Sequence, residues 1–187
     1  MKRFLIILTT AVVSVFVVQH FGMQWQSISA LILSWGLIAL TVIDLNQQLL
    51  PDALTLPLLC LGLLLSLFKL HVSPKDAIIG AVSGYLCLWS VAKLFKIIRK
   101  KDGMGEGDFK LLAALGAWLG WQSLPAIILI ASLSGLLSNV AFLWRKPYKE
   151  YRDHCIPFGP YLSLGAWIML IWGQHIMNFY FNLAGLS

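Results

Sequence analysis

Charge is what this chain has least of. Only 12% of its 187 residues are Asp, Glu, Lys or Arg, whereas 59% are hydrophobic and the mean hydropathy is +0.80. Water-soluble domains carry about 25% charged and about 45–50% apolar residues, so the composition excludes one. Cysteine is also scarce. Cys60, Cys87 and Cys155 lie far apart with no CxxC pair, which argues against a structural zinc site and a disulfide framework. The four histidines (His20, His71, His154 and His175) are equally scattered and form no HExxH. Neither a metal nor a cofactor is expected.

Long apolar runs take the place of charge. Seven spans are read, over about 4–22, 27–46, 53–69, 76–98, 109–122, 124–144 and 158–181, each near the roughly 20 residues that a bilayer crossing needs. The predicted fold class is all-α: a polytopic membrane helical bundle of about seven transmembrane helices, with residues 1–187 forming a single integral-membrane domain. The first run follows Met1-Lys2-Arg3 and superficially looks like a secretory signal. With no small-x-small cleavage site near Val18-Gln19-His20, it reads as a retained anchor.

The net charge of +6 is explained by where the cations fall. With the N-terminus in the cytoplasm, Lys2, Arg3, Lys93, Lys96, Arg99, Lys100, Lys101, Lys110, Arg145, Lys146, Lys149 and Arg152 lie on the cytoplasmic side, and only Lys69 and Lys75 lie outside. That obeys the positive-inside rule. The basic excess is therefore a topology signal and a contact for anionic lipid head groups, not a nucleic-acid surface.

Against this background two acids stand out. Asp44 closes the run Leu37–Ile43, and Asp108 ends Gly103-Met104-Gly105-Glu106-Gly107-Asp108 just before an apolar helix. A carboxylate in the bilayer interior costs about 2.5–3.5 kcal/mol on insertion scales, which marks both as functional candidates. Two carboxyl groups brought together can share one proton, the arrangement by which aspartic proteases activate water. The helix after Asp108, about 14 residues or about 21 Å, is shorter than the roughly 30 Å hydrocarbon core. With Trp118 and Trp121 at the outer interface, Asp108 lies shallowly submerged on the cytoplasmic side. Asp44, about six residues before a helix end near Leu50, falls at a similar depth.

Gly103, Gly105 and Gly107 resist a continuous helix and permit positive φ and close backbone approach. An extended Gly-x-Gly-Asp segment at membrane depth implies a cavity. Plainer readings stand beside these. Asp108 can be an N-cap, and Asp44 a hydrated carboxylate at a helix end before Asn46-Gln47-Gln48. Asp52 reads as the cap of the third span, and Asp76, Asp102, Glu106, Glu150 and Asp153 as loop charges. Lys110 either stabilises a nearby carboxylate or snorkels to the interface. Gly80-x-x-x-Gly84 and Gly116-x-x-x-Gly120 permit close helix packing.

Four strings occur in order: Ile43-Asp44-Leu45; Leu49-Leu50-Pro51-Asp52-x-Leu54-Thr55; Gly103 to Trp118; and Pro157-Phe158-Gly159-Pro160. Together, over about residues 30–165, they resemble the type IV prepilin peptidases, bacterial inner-membrane aspartic proteases of the GxGD class. The resemblance implies cleavage of type IV prepilins or type II secretion pseudopilins at the cytoplasmic face, after a leader-terminal Gly. Their substrates have a basic leader and a hydrophobic helix. It places the family's catalytic aspartates on Asp44 and Asp108, and its GxGD glycines, which shape the backbone and the substrate path, on Gly105 and Gly107. Bifunctional members carry a CxxC-bearing cytoplasmic domain between their first two spans. Here only about Gly22–Trp25 separates them, so a peptidase without methyltransferase activity is expected, by natural absence or by truncation. The alternatives are a proton- or cation-coupled transporter, for which no internal repeat is evident, and a catalytically inactive pilus or secretion assembly factor.

Overall fold

In the computed structural model, residues 2–100, 105–144 and 157–183 are described. Gly103, Met104, Cys155, His154, Asp102, Glu150, Asp153, Lys101, Arg145, Lys146, Lys149 and Arg152 lie outside them, as do the side chains of Lys2 and Arg3. Apolar runs of this length can satisfy their backbone polar groups in a bilayer only as helices or a closed barrel. The described residues form helices and no strand: α1 (Lys2–Phe21), α2 (Trp25–Gln47), α3 (Asp52–Ser66), α4 (Pro74–Arg99), α5 (Glu106–Leu119), α6 (Leu124–Leu143) and α7 (Gly159–Leu183).

Each predicted span is a helix, with shifted ends that have local causes. The second stops at Gln47 rather than near Leu50, because Gln48 turns left-handed (φ 53°) and donates its N–H to the Asp44 carbonyl at 2.8 Å. The fifth begins at Glu106 and stops at Leu119, where Gly120 (φ 79°) breaks it before a single 3-10 turn, Trp121–Ser123. At the start of α4, Ser73 Oγ accepts from the Asp76 N–H at 3.2 Å and Pro74 occupies the first turn, a reciprocal cap with a proline where no helical donor is needed.

Among the described residues, four segments are long and apolar enough to cross a bilayer: Phe4–Phe21, Trp25–Gln47, Pro74–Arg99 and Trp121–Ala141. The chain is a multi-pass membrane protein. α3 and α5, with 15 and 14 residues, extend only about 22 and 21 Å, short of the roughly 30 Å core. Large apolar side chains cover the outside, among them Phe4, Ile7, Ile97, Ile98 and Leu137. Lipid, not water, suits that surface.

α5 is the centre of the bundle. It packs on α3 and α4 and touches α6 and α7, and its residues Asp108, Phe109 and Leu111–Trp118 are all buried. A helix apolar all round is an interior helix. Lipid tails are as apolar as leucine, so helices in a bilayer associate through close packing rather than hydrophobic gain. The α4–α5 contact shows this directly. A Cβ on Gly80 would sit 2.2 Å from the Gly116 carbonyl oxygen, one on Gly116 2.1 Å from the Gly80 oxygen, and one on Gly84 2.6 Å from the Leu112 oxygen. Three of the four glycines picked out in sequence thus join these helices backbone to backbone, while Gly120 ends α5 instead. On the α3 side, Gly62 leaves space for the Trp118 ring, whose Nε1–H donates to the Leu58 carbonyl at 2.7 Å. Trp118 is therefore a core residue rather than an interfacial anchor, and the half-exposed Trp121 is the outward indole.

One end of the bundle is tied by polar contacts. Gln26 Nε2 donates to the Leu70 carbonyl at 2.9 Å, and His71 Nε2 lies 2.7 Å from Ser29 Oγ. Burial holds the His71 pKa below the usual histidine value, which favours the neutral ring there. Asp76 accepts from Trp121 Nε1 at 3.1 Å, so it pins the α5–α6 turn to the Ser73-capped start of α4. Alanine at Gly116 should force α4 and α5 apart and lower stability by about 1–3 kcal/mol, the usual cost of overpacking. Gly173→Ala, whose Cβ would meet only Met169 Cε at 3.6 Å, should be neutral. Thermal unfolding in detergent distinguishes the two, and equal melting of both variants would exclude the backbone contact.

Candidate active site

At the opposite end α2 finishes while α5 and α7 begin, which brings the last turn of one helix against the first turns of two others. Asp44 lies three residues before the last residue of α2, and Asp108 is the third residue of α5. Both are buried, at 4% and 8% exposure. The first N–H groups of a helix lack intrahelical acceptors and carry the positive end of its dipole, so they suit an anion. Asp44 uses such a group: Gly159, the first residue of α7, donates its N–H to Asp44 Oδ2 at 3.0 Å. Asp108 occupies the first turn of its own helix and donates its backbone N–H to the Gly105 carbonyl at 3.2 Å. The two acids, 64 positions apart in sequence, lie on turns that both adjoin Leu50, which stands beside Gly107 and Gly159.

The plainer readings of both acids do not fit this geometry. The N-cap of α5 is Gly105, in extended conformation (φ −73°, ψ 144°), so Asp108 lies inside the helix rather than capping it. Asp44 faces protein, while its neighbours Leu45, Asn46 and Gln47 are exposed. Helix α2 ends closer to Asp44 than the sequence suggested, because the chain turns at Gln48.

The two glycines differ in what they do. Gly107 is already helical, and its missing side chain admits Leu50: a Cβ there would stand 2.6 Å from Leu50 Cβ and 3.2 Å from the Leu50 oxygen. The extended backbone expected through Gly107 therefore stops at Gly105. At Gly105 the φ is one that any residue adopts, and the nearest atom to an added Cβ is Asp108 Oδ2 at 3.9 Å. Open space beside Asp108 is what that glycine provides.

Two features were not read from the sequence. Gly159 is the first: a Cβ would fall 2.6 Å from Asp44 Oδ2 and 3.4 Å from Leu50 Cδ1. A Gly-Pro pair such as Gly159-Pro160 ahead of an apolar run is a signal for a helix start, but not for what its free amide meets. The second is the partner of Lys110. The Lys110 Nζ lies 2.7 Å from both Asp52 carboxylate oxygens, so of its two readings the contact with a nearby carboxylate holds, and the partner is Asp52, in the first turn of α3. Glu106, the first residue of α5, is exposed. Among the described residues Cys60 and Cys87 are free and exposed, and no group of three or more His, Cys, Asp or Glu is placed to hold a metal. An apolar cavity of about 580 Å³ between α1, α2 and α7, lined by Thr41, Leu45, Pro160 and Trp167 among others, adjoins the turn that carries Asp44.

With buried paired carboxyls and open space beside one of them, this end of the bundle can hold a water and a peptide carbonyl for acid–base hydrolysis. Comparison with known proteins points the same way. The model of the type IV leader peptidase family matches residues 31–140. A prepilin leader peptidase/N-methyltransferase of Pseudomonas aeruginosa is 51% identical over 187 residues, covering 100% of this chain and 64% of its own length. Proteins of the same description from Aeromonas hydrophila and Legionella pneumophila are 50% and 45% identical, covering 94% and 91% of this chain and 60% and 59% of their own lengths. The chain thus spans less than two thirds of these relatives. No solved structure matches it. On the extent of the family match and the level of identity, the chain belongs to the type IV leader peptidase family.

Proposed function

We propose that the protein is an aspartic endopeptidase that removes the leader of type IV prepilins or secretion pseudopilins after a glycine, with Asp44 and Asp108 as its catalytic pair. The observation that carries this is that two buried carboxyl groups lie at one end of a membrane bundle, on turns that both adjoin Leu50. One carboxylate takes a proton from a water held between the pair, and the water oxygen attacks the scissile carbonyl carbon. The other, protonated, gives its proton to the carbonyl oxygen. The tetrahedral intermediate then collapses: the C–N bond breaks, the proton first abstracted passes to the leaving amine, and a hydroxyl proton of the intermediate returns to the second carboxylate. The pair titrates as a unit, so neither aspartate is assigned the resting proton. Open space at Gly105 supports passage of the substrate backbone beside Asp108, and the apolar cavity between α1, α2 and α7 supports lodging of the substrate's hydrophobic segment near Asp44.

The aspartates share their end of the bundle with Lys96, Arg99, Lys100 and Lys110, while Lys69 and Lys75 lie at the other. By the positive-inside rule this supports an active site facing the cytoplasm, in a bacterial inner membrane. Transport and inactive-assembly readings are not favoured, since these relatives are all named for leader peptidase activity.

Asp44→Asn and Asp108→Asn should each lower cleavage of a synthetic prepilin by about 10²–10⁴-fold, the usual contribution of an acid–base group, while melting like the parent. Mass spectrometry of the released leader reads this out, and full cleavage by either variant would reject the pair. Gly159→Ala should also depress cleavage, because its Cβ would displace Asp44 Oδ2 from 2.6 Å. Gly105→Ala is the complementary case: the fold has room for the methyl group at 3.9 Å from its nearest neighbour, so the variant should melt normally and lose turnover only if substrate runs through that space.

A further inference from the structure

The linker Gln48–Pro51 between α2 and α3 touches the surroundings of both aspartates. Leu50 fills the space left by Gly107, next to Asp108, and also approaches Gly159, whose amide holds Asp44. It stands between the two carboxyl-bearing turns as a spacer. One end of the linker is tied by the Gln48 N–H on the Asp44 carbonyl. At the other end Pro51 has no N–H to donate, and its carbonyl accepts from the Leu54 and Thr55 N–H groups at 3.0 and 3.2 Å as α3 begins. Those bonds fix the linker to α3; the polar tie from this turn to α5 is the Asp52–Lys110 pair, with both carboxylate oxygens at 2.7 Å from Nζ. Lys110 is two residues beyond Asp108 on the same helix, so the pair couples the end of the linker directly to the first turn that carries Asp108.

We infer that Asp52 and Lys110 are positioning residues for the catalytic pair: their ion pair holds Leu50 against Gly107 and so sets the separation of Asp44 and Asp108. The inference rests on the peptidase reading for its consequence, not for its geometry. The pair is partly exposed, with the Lys110 side chain 26% and the Asp52 side chain 55% accessible, and exposed ion pairs add little to global stability. Its effect is expected in turnover instead, since small misplacements of reacting groups are costly to rate. Substrate affinity should be untouched, because neither residue faces the space at Gly105.

The test has an activity arm and a structural arm. Asp52→Asn and Lys110→Gln should each reduce kcat by about tenfold with KM changed less than about twofold, and the reciprocal exchange Asp52→Lys with Lys110→Asp should return kcat to within about threefold of the parent. In the structural arm, Cys60, Cys87 and Cys155 are replaced by serine, and Leu50→Cys is introduced as an accessibility probe. Its alkylation should quicken several-fold once Lys110→Gln is added. Unchanged alkylation would overturn the inference, as would single variants with parental kcat, a loss seen in KM alone, or no recovery on exchange. A parent that fails to cleave any prepilin would defeat the proposed function and leave the clamp to be judged by the alkylation rate.

Discussion

A carboxylate beneath a membrane surface persists only where protein groups replace the water it has lost. Here the replacement comes from the starts of helices. The first N–H of α7 points at Asp44, and Asp108 lies in the first turn of α5, where the helix dipole favours negative charge. This requirement orders the rest of the bundle. Helix α2 must end within a turn of Asp44, α5 and α7 must begin at the same level, and the segment joining α2 to α3 must be short enough to pass between them. Gln48 in the left-handed conformation and Pro51 at the head of α3 meet that last demand in four residues.

α5 turns the local arrangement into a fixed one. At 14 residues it is too short to cross a bilayer on its own, and it is walled by the other helices so that lipid meets little of it. Without a hydrophobic drive between helices, its position depends on surface fit. Gly80, Gly84 and Gly116 supply that fit on one side, and Trp118, seated over Gly62 and bonded to the Leu58 carbonyl, supplies it on the other. A shift of α5 along α4 would be opposed by backbone oxygens at both glycine contacts. The depth of Asp108 is thereby linked to residues on the far side of the helix, near the end that Asp76, Gln26 and His71 tie together.

The site itself is legible in part. Asp44 and Asp108 announced themselves because an acid in an apolar run is costly wherever the run ends up. Glycines were harder to read, because a missing side chain shows only that space is needed, not by what. Gly107 is a seat for Leu50, Gly105 opens space beside Asp108 at an ordinary φ, and Gly159 brings an amide to Asp44. No spacing rule connects residues 44 and 159, or 52 and 110. Lys110 drew two readings, stabilising a nearby carboxylate or snorkelling; the first holds, but only the fold names the partner, Asp52 on another helix.

Hydropathy and the placement of cations and acids along the chain were enough to determine an all-helical membrane protein and to single out two aspartates, because the transfer cost of each side chain is a property of that side chain alone. The meeting of those aspartates, the amide that holds one of them and the ion pair beside the other were decided by tertiary structure. They depend on where helices stop and which backbones can touch, and those are outcomes of packing between segments that the linear order leaves far apart.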